Sequence, residues 1–223
     1  MVEVRHTDRA RFNMVQQQIR PWGVIDDQVL ETLAAVPREA YVPEAYRGLA
    51  YADIEIPLGP SGRVMLAPKV VARLLQALRV ETGERALEIG TSHGYVTACL
   101  RHLGARVVVV EPDEELALST NERLVGLGDA VLVRCADGLT EPVDGGPFDV
   151  IVVNGSLPSP AQAAGLETQL AINGRLFVIL GRPPVMKALR VTRVGEHDYR
   201  RDSLFETFAP GLAPVSATDA FVF

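Results

Sequence analysis

The stretch LEIGTSHGY (residues 87–95) decides how this chain is read. An apolar run carrying an acidic residue opens into a loop of small residues, and the loop leads into a helix. A chain arranged this way lets a nucleotide-like ligand lie against its backbone at the end of a parallel strand. Gly90 and Gly94 put no side chain between ligand and backbone, and the amides that open the following helix point toward the ligand. The next apolar run, residues 106–110, ends in Glu111, twenty-one positions beyond Gly90. That interval sets a carboxylate where it can accept hydrogen bonds from two ribose hydroxyls.

The loop departs from a dinucleotide fingerprint. Its middle small residue is Ser92, His93 follows, and no arginine stands ready for a second phosphate. A ligand without a pyrophosphate is favoured, and S-adenosylmethionine fits, with Glu88 near its cationic methionyl end and Glu111 on its ribose.

Composition sets the class. The chain has 223 residues, 48% hydrophobic and 22% charged, enough for a sizeable core. Net charge is −6, and basic residues such as Arg9, Arg11, Arg20, Arg38 and Arg47 are scattered rather than gathered in a stripe, which argues against a nucleic-acid partner. Cys99 and Cys135 have no neighbouring cysteine and read as core thiols of a reducing compartment. His6, His93, His102 and His197 lack ligand spacing, so no metal site is predicted. The charged start MVEVRHTDRA lacks the apolar core of a secretion signal and no run approaches a membrane span, so a cytoplasmic protein is expected.

Helical segments are expected over 11–19 and 26–36, the second capped by Asp26, and a helix over 68–78 carries Pro68 in its first turn. Beyond it, strands at 85–89, 106–110, 131–135, 148–153 and 175–180 alternate with helices at 95–103, 113–127 and 160–172. Short apolar runs of this kind are buried parallel strands covered on both faces. Runs at 188–194 and 204–208 close the chain as a β pair. The fold class is therefore α/β, a doubly wound, mostly parallel seven-stranded sheet with an N-terminal helical extension. One domain over 1–223 is expected, with the extension at 1–79 and the donor-binding core at 80–223.

Several stretches resemble the protein-L-isoaspartate O-methyltransferases: VPREAYVPEAY (36–46), AYADIEIPLG (50–59), ALEIGTSHGY (86–95), ADG (136–138), GPFDVIVVNG (146–155) and QLAINGRLFVILG (169–181). The resemblance implies a Rossmann-like methyltransferase fold and methyl transfer from S-adenosylmethionine to the carboxylate of isoaspartyl residues in damaged proteins. It also implies that Gly90, Thr91 and Gly94 pass close to the donor, that Glu111 binds its ribose, and that Asp137 with Gly138 meets the adenine edge. Ser92 occupies a close-approach position in the loop, Asn154 offers a polar contact where relatives often carry threonine, and His93 is expected to face solvent.

The acceptor side departs from the family pattern. Val64 and Leu66 stand where relatives carry hydroxyls, in a loop one residue longer than usual. An ionised carboxylate needs positioning rather than a strong base, so Ser61 and Arg63 are the candidates to hold it, Arg63 by a bidentate contact. The apolar Met65 and Leu66 would instead suit another acceptor, and a donor-binding protein without catalysis is the remaining alternative. Oligomeric state is not legible.

Overall fold

The computed structural model describes residues 2–212. Its frame is a seven-stranded sheet of β3 (Arg85–Ile89), β4 (Arg106–Glu111), β5 (Val131–Cys135), β6 (Phe148–Leu157), β7 (Leu170–Arg182), β8 (Val185–Arg193) and β9 (Tyr199–Thr207), in the order β5-β4-β3-β6-β7-β8-β9. The five strands from β5 to β7 run parallel, and β8 and β9 add antiparallel. The expected doubly wound sheet and terminal β pair are both present.

Alternation along each inner strand feeds two cores. Ala86, Val150 and Phe177 face one side, and Leu87, Ile151 and Leu176 face the other. On the first side lie α2 (Asp27–Ala35), α3 (Pro68–Leu78), α4 (Tyr95–His102) and the apolar face of α5 (Glu114–Leu124); on the second lies α6 (Pro160–Glu167), through Ala163 and Leu166. Among the described residues no helix is long and apolar enough to cross a membrane.

The N-terminal extension is helical as expected. Helix α1 (Val2–Asn13) continues as a wide turn of π-helix over Met14–Ile19, which buries Met14, Val15 and Ile19. Asp26 caps α2 by accepting from the amides of Gln28 and Val29. Helix α3 starts on Pro68 and ends on a left-handed Arg79, where Arg175 reaches across from β7 to the carbonyl oxygens of Leu78 and Arg79 at 2.8 and 2.7 Å. Between α2 and α3, β1 (Ile56–Pro57) and β2 (Val64–Met65) form a small hairpin whose loop is closed by the Leu58 amide donating to the Arg63 carbonyl at 2.9 Å.

Three local expectations need correction. The helix predicted over 160–172 ends at Glu167, and β7 has begun by Leu170. The apolar run there serves a strand bent by Asn173 at φ 67° and by Gly174, where a Cβ would come within 2.8 Å of the Ala171 carbonyl. Cys135 is exposed rather than in the core, because β5 is an edge strand covered less fully than its neighbours. Strand β6 runs four residues beyond the predicted end at Val153, because after a register shift Ser156 and Leu157 pair with Ile179 and Leu180 of β7, and Ser156 also meets the distant tail. Its amide donates to the Pro210 carbonyl and its carbonyl accepts from the Leu212 amide.

Candidate functional site

The chain winds outward from β3 to β4 and β5 on one side, and from β6 to β7 on the other. The loops after β3 and β6 therefore diverge, leaving a crevice at the carboxyl ends of the strands. The LEIGTSHGY loop and Asn154 both lie there. Gly90, His93 and Gly94 all adopt positive φ, at 73°, 60° and 90°. At Gly90 the absence of a side chain has a visible use: an added Cβ would sit 2.5 Å from Leu212 Cδ2 of the tail.

Glu88 is fully buried under this loop. Its Oε1 accepts from Asn154 Nδ2 at 2.5 Å and from Ser92 Oγ at 3.3 Å, and its Oε2 from Thr97 Oγ1 at 2.5 Å. Burial pushes its carboxyl up to about 7, against the opposing hydrogen bonds from Thr97, Asn154 and Ser92. Asn154 Nδ2 also reaches the Gly90 carbonyl at 2.8 Å, and Ser92 Oγ accepts from the Val96 amide in the first turn of α4. Glu88 thus ties strand, loop, helix and β6 together, and it does not line the cavity beside the loop.

His93 is buried rather than facing solvent, which corrects the expectation. Its Nδ1 lies 2.6 Å from the Tyr41 carbonyl oxygen, and burial lowers its pKa. Arg38, grouped with the scattered basic residues in the sequence, is also buried: its guanidinium stands 4.8 Å over the Tyr95 ring and donates to the Leu66 carbonyl at 2.8 Å. The VPRE stretch thereby fixes the chain leaving β2.

Glu111 ends β4 with its side chain fully buried. Oε2 accepts from the Thr91 amide at 2.9 Å, while Oε1 accepts from the Asp113 amide at 3.1 Å and from Arg63 Nη2 at 3.4 Å. Arg63 Nη1 also donates to the Leu212 carbonyl at 2.6 Å. Asp137 is exposed and accepts from the Leu139 amide in a turn after β5, and the buried Gly138 sits where a Cβ would meet Ile89 at 2.6 Å.

Ser61, Arg63, Gly90, Asp137 and Gly138 converge on one cavity of about 520 Å³, within the usual range for small-molecule sites. A second cavity of about 540 Å³ lies across the β1–β2 loop, and Ser61 and Asp113 line both. Val64 is half-buried and Leu66 fully buried; neither lines either cavity. The contribution of the tail, Gly211 and Leu212, was missed from the sequence, as was Arg38. Residues 209–212 were given no role from the sequence, and pairing with Ser156 brings them to the site.

The family profile of the protein-L-isoaspartate(D-aspartate) O-methyltransferases matches residues 10–204. This chain belongs to that family. A protein-L-isoaspartate O-methyltransferase from Methylorubrum populi is 38% identical over 212 residues, spanning 95% of this chain and 99% of its own. One from Gloeobacter violaceus is 42% identical, over 75% of this chain and 81% of its own. Among solved structures, a protein-L-isoaspartate O-methyltransferase superposes with a TM-score of 0.77 at 23% identity, covering 90% of this chain and 65% of that one. A structure from Plasmodium falciparum, described as a beta-aspartate methyltransferase in complex with S-adenosyl-L-homocysteine, gives 0.73 at 22% identity, covering 93% and 98%. At these identities the two structures support the family's fold.

Proposed function

We propose that this protein transfers methyl from S-adenosylmethionine to the free carboxylate of isoaspartyl residues in damaged proteins. The observation that carries the reading is the join between the glycine loop and Glu111, made by the Thr91 amide at the β3/β6 switch point, in a chain of this family. The residues present suit the donor. Asn154 Oδ1 is buried without a hydrogen-bond partner among the described residues, Glu111 retains lone pairs beyond its two amide bonds, and Gly90 lets the backbone be approached closely.

In this reading Glu111 takes the ribose hydroxyls, Asp137 and the Gly138 amide take the adenine edge, and the loop of Gly90, Thr91, Ser92 and Gly94, of which Gly90 lines the cavity, passes beside the methionyl part. Glu88 and Asn154 hold that loop in shape from behind. The donor supplies an electrophilic methyl on a sulfonium sulfur. The acceptor carboxylate, ionised near pH 7, forms the O–CH₃ bond as the S–CH₃ pair returns to sulfur, and no proton moves. Orientation is therefore the protein's main contribution. Ser61 and Arg63, which line the cavity, are the groups proposed to provide it, with the second cavity taking the rest of the acceptor chain. The free thiols of Cys99 and Cys135 suit a reducing, cytoplasmic compartment.

The test is incubation with labelled donor and an isoaspartyl peptide beside its aspartyl twin. Methyl ester on the isoaspartyl peptide alone is the expected result, and Glu111→Ala should weaken donor binding by about tenfold or more through lost charged hydrogen bonds. Equal labelling of both peptides, or none, would overturn the substrate assignment.

A further inference from the structure

Arg63 bridges the tail and the carboxylate proposed to hold the donor's ribose. One guanidinium nitrogen donates to the Leu212 carbonyl at 2.6 Å, and another makes a single, longer contact of 3.4 Å to Glu111 Oε1. The Arg63 side chain lines the cavity, whereas Glu111 lies behind it with no exposed surface. Both Glu111 oxygens already accept backbone amides, from Asp113 and Thr91. A ribose diol that engages both oxygens and the Arg63 guanidinium therefore compete at Oε1, whereas Oε2 keeps a lone pair that Arg63 does not touch. Arg63 is also the one cation among the described residues lining this cavity, whose other charged side chains are Asp113 and Asp137. A carboxylate entering here meets repulsion from those two and attraction from Arg63 alone.

We infer that Arg63 is an exchangeable clasp that couples the two substrates: a ribose displaces it from Glu111, and the freed fork, still anchored on the Leu212 carbonyl, binds the acceptor carboxylate. The inference rests on the donor reading proposed above. The anchor matters because it keeps the guanidinium at the cavity when the weaker contact is given up, and the guanidinium carries five donors, enough to serve a carboxylate bidentately while holding the carbonyl. Linkage then requires reciprocity. A carboxylate that draws Arg63 from Glu111 raises donor affinity by the same factor by which the donor raises carboxylate affinity. Arg63 is thus an acceptor-binding residue and, through Glu111, a brake on donor binding.

The test is calorimetric titration of the full chain with S-adenosylhomocysteine, with and without saturating isoaspartyl peptide, for the wild type, Arg63→Ala and Arg63→Lys. The wild-type dissociation constant should fall about fivefold or more when the peptide is present. Arg63→Ala should bind S-adenosylhomocysteine more tightly than wild type without peptide, lose the peptide effect, and raise the peptide KM by about tenfold or more with a smaller change in kcat. Arg63→Lys keeps the charge but cannot fork, so it should retain part of the peptide KM while losing most of the coupling; it also serves if the alanine variant does not fold. Donor affinity that is unchanged or weaker in both variants overturns the clasp, and a peptide without effect on the wild-type constant overturns the coupling. Wild-type protein that binds no S-adenosylhomocysteine is a different failure, that of the donor reading itself.

Discussion

Replacing Glu88 with glutamine should stabilise the protein at alkaline pH and do little at acidic pH. Glu88 is fully buried, and its carboxyl titrates near 7 in the folded chain against 4.5 without the surroundings. A carboxyl whose pKa is raised on folding binds its proton more tightly in the folded state, so stability falls as pH rises from about 4.5 to about 7. The difference of 2.5 units corresponds to about 3 kcal/mol once both states are ionised. At pH 5 most of that penalty is not yet present, and integrating the two titrations leaves a change of about 2.5 kcal/mol between pH 5 and pH 8. Glutamine keeps the geometry: its oxygen can accept from Asn154 and Ser92, and its amide can donate to Thr97 Oγ1, whose hydroxyl rotates to accept. Urea unfolding of wild type and Glu88→Gln at pH 5, 6, 7 and 8 measures the difference directly, with titrations common to both proteins cancelling. The variant should gain on wild type steadily across that range. A difference that stays flat with pH, or that shrinks toward pH 8, would refute the assignment of a raised carboxyl at this position.

Two further outcomes follow from the same geometry. Gly90→Ala should cost about 1–2 kcal/mol for an L-residue at φ 73°, plus the displacement of Leu212. In a Leu212→Ala background the extra cost should vanish while the backbone cost stays, so thermal unfolding of the four proteins separates the two; equal cost in both backgrounds would count against the Leu212 contact. A thiol reagent applied to the folded protein should modify the exposed Cys135 quickly and leave Cys99 untouched until unfolding, since burial pushes the Cys99 thiol up to about 12. Mass spectrometry of the labelled chain reads this, and early labelling of Cys99 would contradict its burial.

The inner strands were legible because both their faces are covered: β3, β4 and β6 read as short, nearly all-apolar runs, and parallel pairing follows from the helices between them. Glu111 was legible because its distance from Gly90 is set by one helix and one strand of ordinary length. What was not legible depends on contacts between distant segments. His93 is drawn inward by the carbonyl of Tyr41, 52 positions earlier, and Arg63 meets Leu212 across 149 positions. Cys135 has the same sort of local sequence as a core residue and differs only in lying on the sheet's edge. The start of β7 was hidden because Leu170, Ala171 and Ile172 satisfy either period, and the choice is made by the bend at Asn173 and Gly174.

The two acidic residues near strand ends look alike in sequence and are set apart by register. Glu88 pairs across the sheet with Val109 and Val152, so it is still inside the ladder, and its side chain falls on the face covered by α4, where Thr97 waits to donate to it. Glu111 lies two positions beyond Val109 and pairs only with Cys135 of β5. On its other side β3 has already ended, and the loop offers it the Thr91 amide in place of a strand neighbour. A carboxylate enclosed by a helix face and three side-chain donors becomes a structural knot with a raised pKa. One that ends its strand beside the Gly90 loop, with two backbone amides fixing it and a movable guanidinium as its third partner, keeps a place for a ligand's hydroxyls. A shift of two residues along a strand thus separates the group that holds the loop from the group proposed to hold the donor.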